Sequence, residues 1–414
     1  MESFIARQPI FDTHKNVVAY ELLFRDGTVN ANAVKQLPDG TQASYHVMTN
    51  ALTLFGMEKM TSGKRAFINT TGDVLIGQLP TAFSPQSIVI EILEDVPAEP
   101  EILDACRQLK QQGYTIAMDD VIHGESRNDM VVLSDIIKID FMDTTPAEQA
   151  ELARQFDKMG KTLLAEKVET HDVFEYARKL GFTLFQGYFF ARPEVLVRKE
   201  IRANKLNSLR LITRLQTTEP DIGALEDIVK NDVAMSYRLL RYINSAFFSF
   251  RREIESIRQA IVLLGNREFR KWATLIAMSG LTDDKPEELL VTGLIRARFL
   301  EQLAGEIGFL QEKDNLFLMG VFSILDGATD QPFEIIFDEI PVHPAIREAL
   351  LTHSGPFAPV MTALWAFEKG DWSSFSQFIN NYVELSSNLT EMYFNAVLWA
   401  NQSMAAIPKK MPHR

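Results

Sequence analysis

Short apolar runs alternate with amphipathic stretches along the first 195 residues of the chain. Four to eight residues rich in β-branched and aromatic side chains are typical of buried strands. The runs are VVAYELLF (17–24), AFIN (66–69), SIVIEIL (87–93), TIAMDD (115–120), IIKID (136–140), TLLAEKV (162–168) and LFQGYFF (184–190). Between them, segments such as PEILDACRQLKQQGY have the helical period. This alternation predicts an α/β fold, a parallel sheet with crossover helices closed as a TIM-like (β/α)8 barrel.

The pattern changes after Pro193. VRKEIRANKLNSLRLITRLQ has the pattern of one charged amphipathic helix, and segments farther on, such as ELLVTGLIRARFLEQLAGEIG, keep the 3.6-residue period. We therefore predict a barrel domain over residues 1–195, a connecting helix over 196–216 and an all-α domain over 217–405.

Composition narrows the class of protein. A net charge of −13 argues against broad nucleic-acid binding, which needs a basic surface. The single cysteine, Cys106, excludes a disulfide framework and a multi-cysteine zinc site, and we expect it to be a buried helix residue. No apolar run approaches the ~18 residues of a membrane span, and the first residues lack a signal-peptide pattern. We therefore expect a cytoplasmic protein without a membrane segment.

A polar residue lies at or near the end of each apolar run, where the strands of such a barrel converge on one mouth. These residues are Glu21, Asn69, Glu91, Asp119, Asp120, Lys138, Glu166 and Gln186. Any one of them alone is best explained as a satisfied structural group, but the whole set is not. Oxygen-rich sites suit Mg²⁺ or Mn²⁺. Two such ions sharing a carboxylate form a clamp for attack on a phosphodiester, and Asp119–Asp120 can supply that arrangement.

The ordered motifs YELLFR, FIN, IEILE, MDD, IKID, AEKVET and QGYFFARP resemble the EAL-domain family of cyclic di-GMP phosphodiesterases over about residues 1–195. The motif that names the family is Glu21-Leu22-Leu23 here, with Leu in place of Ala. The resemblance implies the roles that follow. Metal ligands are Glu21, Asn69, Glu91, Asp119 and Asp120; Lys138 and Gln186 position water, and Glu166 is the candidate general base. Arg25 binds a phosphate of the dinucleotide, Leu23 and Pro193 are further substrate-binding positions, and Glu94 stabilises the loop after the MDD strand.

The loop over residues 121–128 departs from the family pattern. Relatives usually follow the paired aspartates with Phe-Gly and a small-residue, serine-rich stretch, whereas this chain has VIHGESR after Asp120. In relatives this loop shapes the second metal site and a dimer contact, so hydrolysis to the pGpG dinucleotide is expected to be weak. The alternative is a catalytically inactive sensor or protein-interaction scaffold. A role for His123 and a homodimer both stay open.

The sequence NDVAMSYRLLRYINSAFFSFRREIESIRQAIVLLG resembles the HDOD domain, the helical scaffold of HD phosphohydrolases without its metal ligands. This implies a module that binds a protein partner and has no chemistry of its own. Asn244 and Ser245 are then expected to cap or connect helices. The His171-Asp172 pair lies where a barrel helix begins, and we interpret it as a helix-terminus feature rather than a metal site.

Overall fold

The computed structural model describes residues 3–26, 56–121, 128–191, 254–382 and 389–406, with single positions between 205 and 244. The chain forms two compact units. The barrel unit comprises Met1–Arg192, Glu306–Gly308 and Pro359–Phe394; the helical unit comprises Pro193–Gly305, Phe309–Ala358 and Asn395–Arg414. Residues 359–394, which the helical period assigned to the C-terminal domain, thus belong to the same unit as the barrel.

Eight strands close into one barrel in chain order, which confirms the predicted fold class. The strands are β1 (Ser3–Phe11), β2 (Val17–Asp26), β3 (Arg65–Thr70), β4 (Ile88–Ile92), β5 (Thr115–Met118), β6 (Ile136–Asp140), β7 (Thr162–Glu166) and β8 (Leu184–Gln186). From β2 to β8 every neighbouring pair is parallel.

The first strand differs from the prediction of an all-parallel sheet. β1 was not among the predicted strands, and it pairs antiparallel with both β2 and β8. The link from β1 to β2 is too short for a parallel crossover, which needs a dozen or more residues. It is instead a tight turn, in which the Asp12 carboxylate accepts hydrogen bonds from the backbone N–H groups of His14 and Asn16.

Six helices lie between the strands in the residues that the structure describes. They are α1 (Met57–Met60), α2 (Gly72–Ile76), α3 (Pro100–Gln111), α4 (Asn128–Leu133), α5 (Pro146–Lys158) and α6 (His171–Lys179). Thr170 caps α6 by accepting a hydrogen bond from the Val173 N–H, and His171 and Asp172 are the first residues of this helix. The pair is therefore part of a helix terminus, as the sequence indicated. Buried Cys106 lies in α3, also as expected.

Helices make up most of the described chain after β8. They are α7 (Ile257–Leu281), α8 (Glu287–Glu306), α9 (Lys313–Phe322), α10 (Leu325–Thr329), α11 (Phe333–Glu339), α12 (Pro344–Leu351), α13 (Ala358–Glu368), α14 (Trp372–Ile379) and α15 (Leu389–Ala406). The helical path of α7 is interrupted at Gly265, whose φ is 73°. None of the helices in the described ranges is long and apolar enough to cross a membrane.

Two polar contacts organise the helical unit. The Asn244 side chain donates to the Ile254 carbonyl over 2.8 Å and accepts from the Ile254 N–H over 2.7 Å, which agrees with its predicted connecting role. Ser245 lies outside the described residues. Buried Glu301 accepts from Arg267, Lys271 and Arg298 at 2.5, 2.5 and 2.8 Å. Burial raises the pKa of Glu301, but Lys271 and Arg298 outweigh it and hold that pKa below its ordinary value.

Candidate functional site

One layer of apolar side chains fills the interior of the barrel and sets the position of the polar groups above it. The layer consists of Ile10, Ala19, Phe67, Val89, Ala117, Ile136 and Leu164, with Leu184 packed against it. Side chains two residues apart on a strand point to the same face. On β2 to β8, the residue two positions after each member of the layer is therefore also directed inward, one level nearer the carboxyl-end mouth. Those residues are Glu21, Asn69, Glu91, Asp119, Lys138, Glu166 and Gln186.

Lys138 lies at the centre of this polar level. Its Nζ is 2.7 Å from Glu166 Oε1, 3.0 Å from Asp119 Oδ1 and 3.5 Å from Glu21 Oε2, and it also forms an ion pair with Glu91. The lysine side chain is 1% exposed. Four carboxyl groups thus take the place of the water around the ammonium, and their attraction offsets the free-energy cost of burying its charge.

Glu21 is also held by two amides. Asn69 Nδ2 donates to its Oε1 over 3.3 Å, and Gln186 Nε2 donates to its Oε2 over 2.7 Å. Gln186 Nε2 donates as well to Gln8 Oε1 over 2.8 Å. These hydrogen bonds fix the carboxylate of Glu21 within the mouth.

The carboxyl groups outnumber the ammonium that they surround. Burial lowers the pKa of Lys138, but Glu166, Glu21, Glu91 and Asp119 together raise it well above its usual range, so the amine stays charged. Burial raises the pKa of Glu91 and of Glu166 well above normal, and Lys138 only partly offsets this. A further cation at this level would relieve the excess negative charge.

A second carboxylate group lies beside the first. Oxygens of Glu94, Asp119 and Asp120 lie within 4.8 Å of one another. Asp120 has a left-handed backbone with φ of 45°. Burial raises its pKa to about 6, with additional contributions from Asp119, Asp140 and Glu94. Asp119 behaves differently, because Lys138 outweighs burial and lowers its pKa below the ordinary value.

The donor atoms fit a hard divalent cation. Asn69 Oδ1 and Glu91 Oε2 are buried and have no hydrogen-bond partner among the described residues. Buried polar atoms in folded proteins are nearly always partnered, so two such oxygens beside the carboxylates of Glu21 and Asp119 suit an ion as partner. All four donors are oxygen, which matches Mg²⁺ or Mn²⁺ better than zinc.

Several predicted positions fall outside what the structure describes. Arg25 is paired with Phe4 in the β1–β2 ladder, but its side chain is not described. Pro193, His123 and most of the 121–128 loop also lie outside the described residues. Where the loop begins, Val121 is buried and its N–H donates to the Lys138 carbonyl over 3.2 Å.

The sequence interpretation missed two features around the mouth. Gln8, on the unrecognised strand β1, is the cross-strand partner of Glu21. Its signal was a polar residue inside the mostly apolar stretch FIARQPIF. Lys167, which has φ of 51°, forms an ion pair with Asp140, and no local pattern indicated that pair.

Two family models match the chain, the EAL domain over residues 62–193 and the HDOD domain over residues 207–325. The chain is 33% identical over 414 residues to YuxH of Bacillus subtilis (strain 168), covering 98% of this chain and 100% of that protein. It is 33% identical over 377 residues to CdgJ of Vibrio cholerae serotype O1, covering 91% of this chain and 87% of CdgJ, which is named a cyclic di-GMP phosphodiesterase.

Among solved structures, an EAL-domain protein of Listeria monocytogenes EGD-e is similar at a TM-score of 0.39 and 20% identity, over 47% of this chain and 89% of that one. That likeness is too distant to add to the fold described above. The sequence relatives span most of both chains, and both domain models match in the expected order. The chain therefore belongs to the EAL-domain family, and its EAL domain is followed by an HDOD domain.

Proposed function

We propose that this protein binds cyclic di-GMP at the carboxyl-end mouth of the barrel and hydrolyses it slowly to pGpG with Mg²⁺ or Mn²⁺. The observation that carries the proposal is the buried cluster around Lys138, with the unpartnered oxygens of Asn69 and Glu91 beside it. The name of CdgJ, a relative over nearly the whole chain, supports this substrate.

Each polar residue has a proposed part in the reaction. Glu21, Asn69, Glu91, Asp119 and Asp120 would hold the cations, which polarise the phosphate and lower the pKa of the attacking water. Water would add to phosphorus, the bond from phosphorus to a ribose O3′ would break, and O3′ would leave by taking up a proton from solvent. Glu166 Oε would take the water proton, the role that the family resemblance implies, because it lies beside Lys138 at the same level as the proposed metal ligands.

Lys138 and Gln186 would position that water. The Lys138 ammonium keeps its charge, and it lies 2.7 Å from Glu166 Oε1. Gln186 Oε1 has no hydrogen-bond partner among the described residues, so it can accept from a water while the amide nitrogen orients Glu21. Arg25, Leu23 and Pro193 remain the proposed substrate contacts, and Glu94 the proposed support of the neighbouring loop.

We attribute slow turnover to residues 121–128. β-branched Val121 and Ile122 stand where relatives have Phe-Gly, and β-branched residues resist the tight turns that glycine permits. If one cation is lost, each ~1.4 kcal/mol of lost transition-state stabilisation slows the reaction about tenfold. The alternative function is a catalytically inactive sensor or scaffold that uses the same mouth.

The helical unit is proposed to relay the state of the barrel to a protein partner through the HDOD domain. The match of the HDOD family model to residues 207–325 supports this assignment. A homodimer and a cytoplasmic location also remain predictions, and sedimentation of the purified protein tests the first.

Turnover and binding measured on one preparation test the proposal. Cyclic di-GMP is titrated calorimetrically with Mn²⁺ present, and pGpG formation is followed by chromatography. We expect binding with turnover well below about 1 per second. Glu91→Gln should lose Mn²⁺ binding and turnover, whereas Glu101→Gln, an exposed carboxylate on α3, should change neither. Turnover at about 1 per second or more would refute the impairment, and absence of binding would refute the function.

A further inference from the structure

The turn after α13 reaches the mouth of the barrel. The turn comprises residues 368–371 and belongs to the barrel unit. Gln8 Nε2 donates to the Glu368 carbonyl over 3.1 Å. Gln8 in turn accepts from Gln186, whose amide also holds the Glu21 carboxylate. A chain of hydrogen bonds thus connects the backbone of the turn to a proposed metal ligand.

Side chains of the turn also lie against the mouth. The Tyr188 hydroxyl, just beyond β8, donates to Glu368 Oε2 over 3.4 Å, and the glutamate is 6% exposed. Lys369 Nζ lies 5.8 Å from the centre of the Tyr188 ring. At Gly370, which has φ of +70°, an added Cβ would lie 3.0 Å from Leu23 Cδ1. Leu23 follows Glu21 by two positions and so points to the same face, one level higher.

The base of the turn is fixed to the barrel by aromatic packing. The Phe367 ring lies 4.9 Å from Tyr393 and 5.5 Å from Trp372, centre to centre. Phe394, which follows Tyr393, packs against Ile5 and Met60 of the barrel. The segment is therefore anchored beside the mouth, while the tip is held there by hydrogen bonds and by the contact with Leu23.

Gly370 approaches Leu23, a proposed substrate contact, while Gln8 and Tyr188 hydrogen-bond to Glu368. A ligand that bound over Leu23 would therefore meet the turn. We propose that the 368–371 turn is an autoinhibitory gate, which occupies part of the cyclic di-GMP site and must lift before the dinucleotide binds. This inference rests on the proposed function. The buried Glu368 carboxylate strengthens the block, because it opposes an incoming phosphate of the same charge.

Affinity should then depend on how often the gate is open. The apparent Kd rises by the inverse of the open fraction, so a gate closed about nine times in ten weakens binding about tenfold. Gly370→Leu adds a side chain against Leu23 and should hold the turn open, lowering the Kd about tenfold. Glu368→Gln removes the charge and keeps the backbone, and it should lower the Kd roughly threefold.

The experiment titrates cyclic di-GMP with Mn²⁺ into the full chain and the two variants. The matched controls are Gly113→Leu, at φ of +90° with no atom within 4 Å of its added Cβ, and Glu391→Gln, an exposed acid of the barrel unit. Both controls should bind like the unsubstituted protein. Circular dichroism and urea midpoints check that each variant is folded. If Gly370→Leu does not fold, Glu368→Gln alone tests the inference.

Hydrogen–deuterium exchange on the unsubstituted protein gives an independent result. If the turn is a gate, cyclic di-GMP should increase exchange of the amides over residues 366–372. Protection of those amides together with weaker binding by the variants would show that the turn is part of the binding site, and would overturn the inference. Unchanged affinities would overturn it too. Absence of binding by every protein, including Gly370→Leu, would instead remove the proposed function and the gate with it.

Discussion

Lys138 Nζ lies 2.7 Å from Glu166 Oε1, so the ammonium at the centre of the cluster also touches the proposed general base. Lys138→Met removes that charge and leaves Glu21, Glu91, Asp119 and Glu166 to repel one another. We expect the metal-free protein to lose about 3 kcal/mol of unfolding free energy at neutral pH. Turnover should fall about 100-fold or more.

Urea unfolding with and without Mn²⁺ checks this prediction. Added Mn²⁺ should restore part of the lost stability, because a cation replaces the missing charge. Lys110→Met is the control, since Lys110 pairs with half-exposed Asp135 outside the mouth and should cost at most about 1 kcal/mol. Equal losses in the two variants would contradict the central role of Lys138.

Asp120, with its pKa raised to about 6, makes the second carboxylate group sensitive to pH. A proton on Asp120 competes with a cation, so Mn²⁺ affinity should fall as the pH is lowered from about 8 to about 5. Calorimetric titration of Mn²⁺ across this range measures the effect. Asp120→Asn should bind more weakly and lose most of the dependence near pH 6. A variant with the same pH profile would mean that another group is responsible.

The raised pKa of Asp120 affects the stability of the metal-free protein in the opposite direction: lowering the pH weakens Mn²⁺ binding but increases the free energy of unfolding. The folded pKa of Asp120 lies above the ordinary value of 3.8. Its stabilising contribution is therefore complete below about pH 3.8 and is lost as the pH rises through about 6.

Gly187 has the least space for a side chain among the described glycines of the barrel unit. Its φ is +141°, and an added Cβ would lie 2.1 Å from the Val168 carbonyl oxygen. Gly187→Ala should therefore cost about 3 kcal/mol or more of unfolding free energy, measured by urea denaturation. Gly113→Ala is the control, since it combines positive φ with open space and should cost about 1 kcal/mol. Similar losses would mean that backbone conformation, not the contact with Val168, dominates.

Glu301 is expected to stabilise the helical unit in a pH-dependent way. Its folded pKa is lowered, so its contribution is present above the ordinary value of 4.5 and is lost as the pH falls through the folded pKa. Glu301→Gln should cost about 3 kcal/mol at neutral pH, because buried Lys271 loses its carboxylate partner at 2.5 Å. Thermal unfolding should show the difference shrinking in acid, and a constant difference would contradict the ionic explanation.

The sequence was sufficient to predict the barrel and most of its polar level, because both follow a two-residue period. Asn69, Glu91, Asp119, Lys138 and Glu166 all follow a core residue by two positions, so a strand pattern alone orients them. Their convergence then follows from closure of the barrel. The directions in which the pKa values of these residues shift could not be predicted from the sequence, because they depend on the distances to Lys138.

Contacts between distant parts of the chain could not be predicted in this way. Gln8 and Glu368 are 360 positions apart, and an amphipathic pattern does not reveal which surface a helix will cover. The antiparallel strand β1 was missed because Arg7 and Gln8 interrupt its apolar run. Arg25, Pro193 and the 121–128 loop stay predictions.

Phe394 packs against Ile5 and Met60, so residues near the end of the chain complete the packing of strands that are synthesised much earlier. Translation proceeds at about 5–20 residues per second, so about 10–40 s separate the emergence of β8 from that of residue 394. During that interval the nascent strands exist without the segment that packs against Ile5 and Met60. If the turn is a gate, each newly made barrel is exposed to the surrounding nucleotide pool before its own turn can close over it.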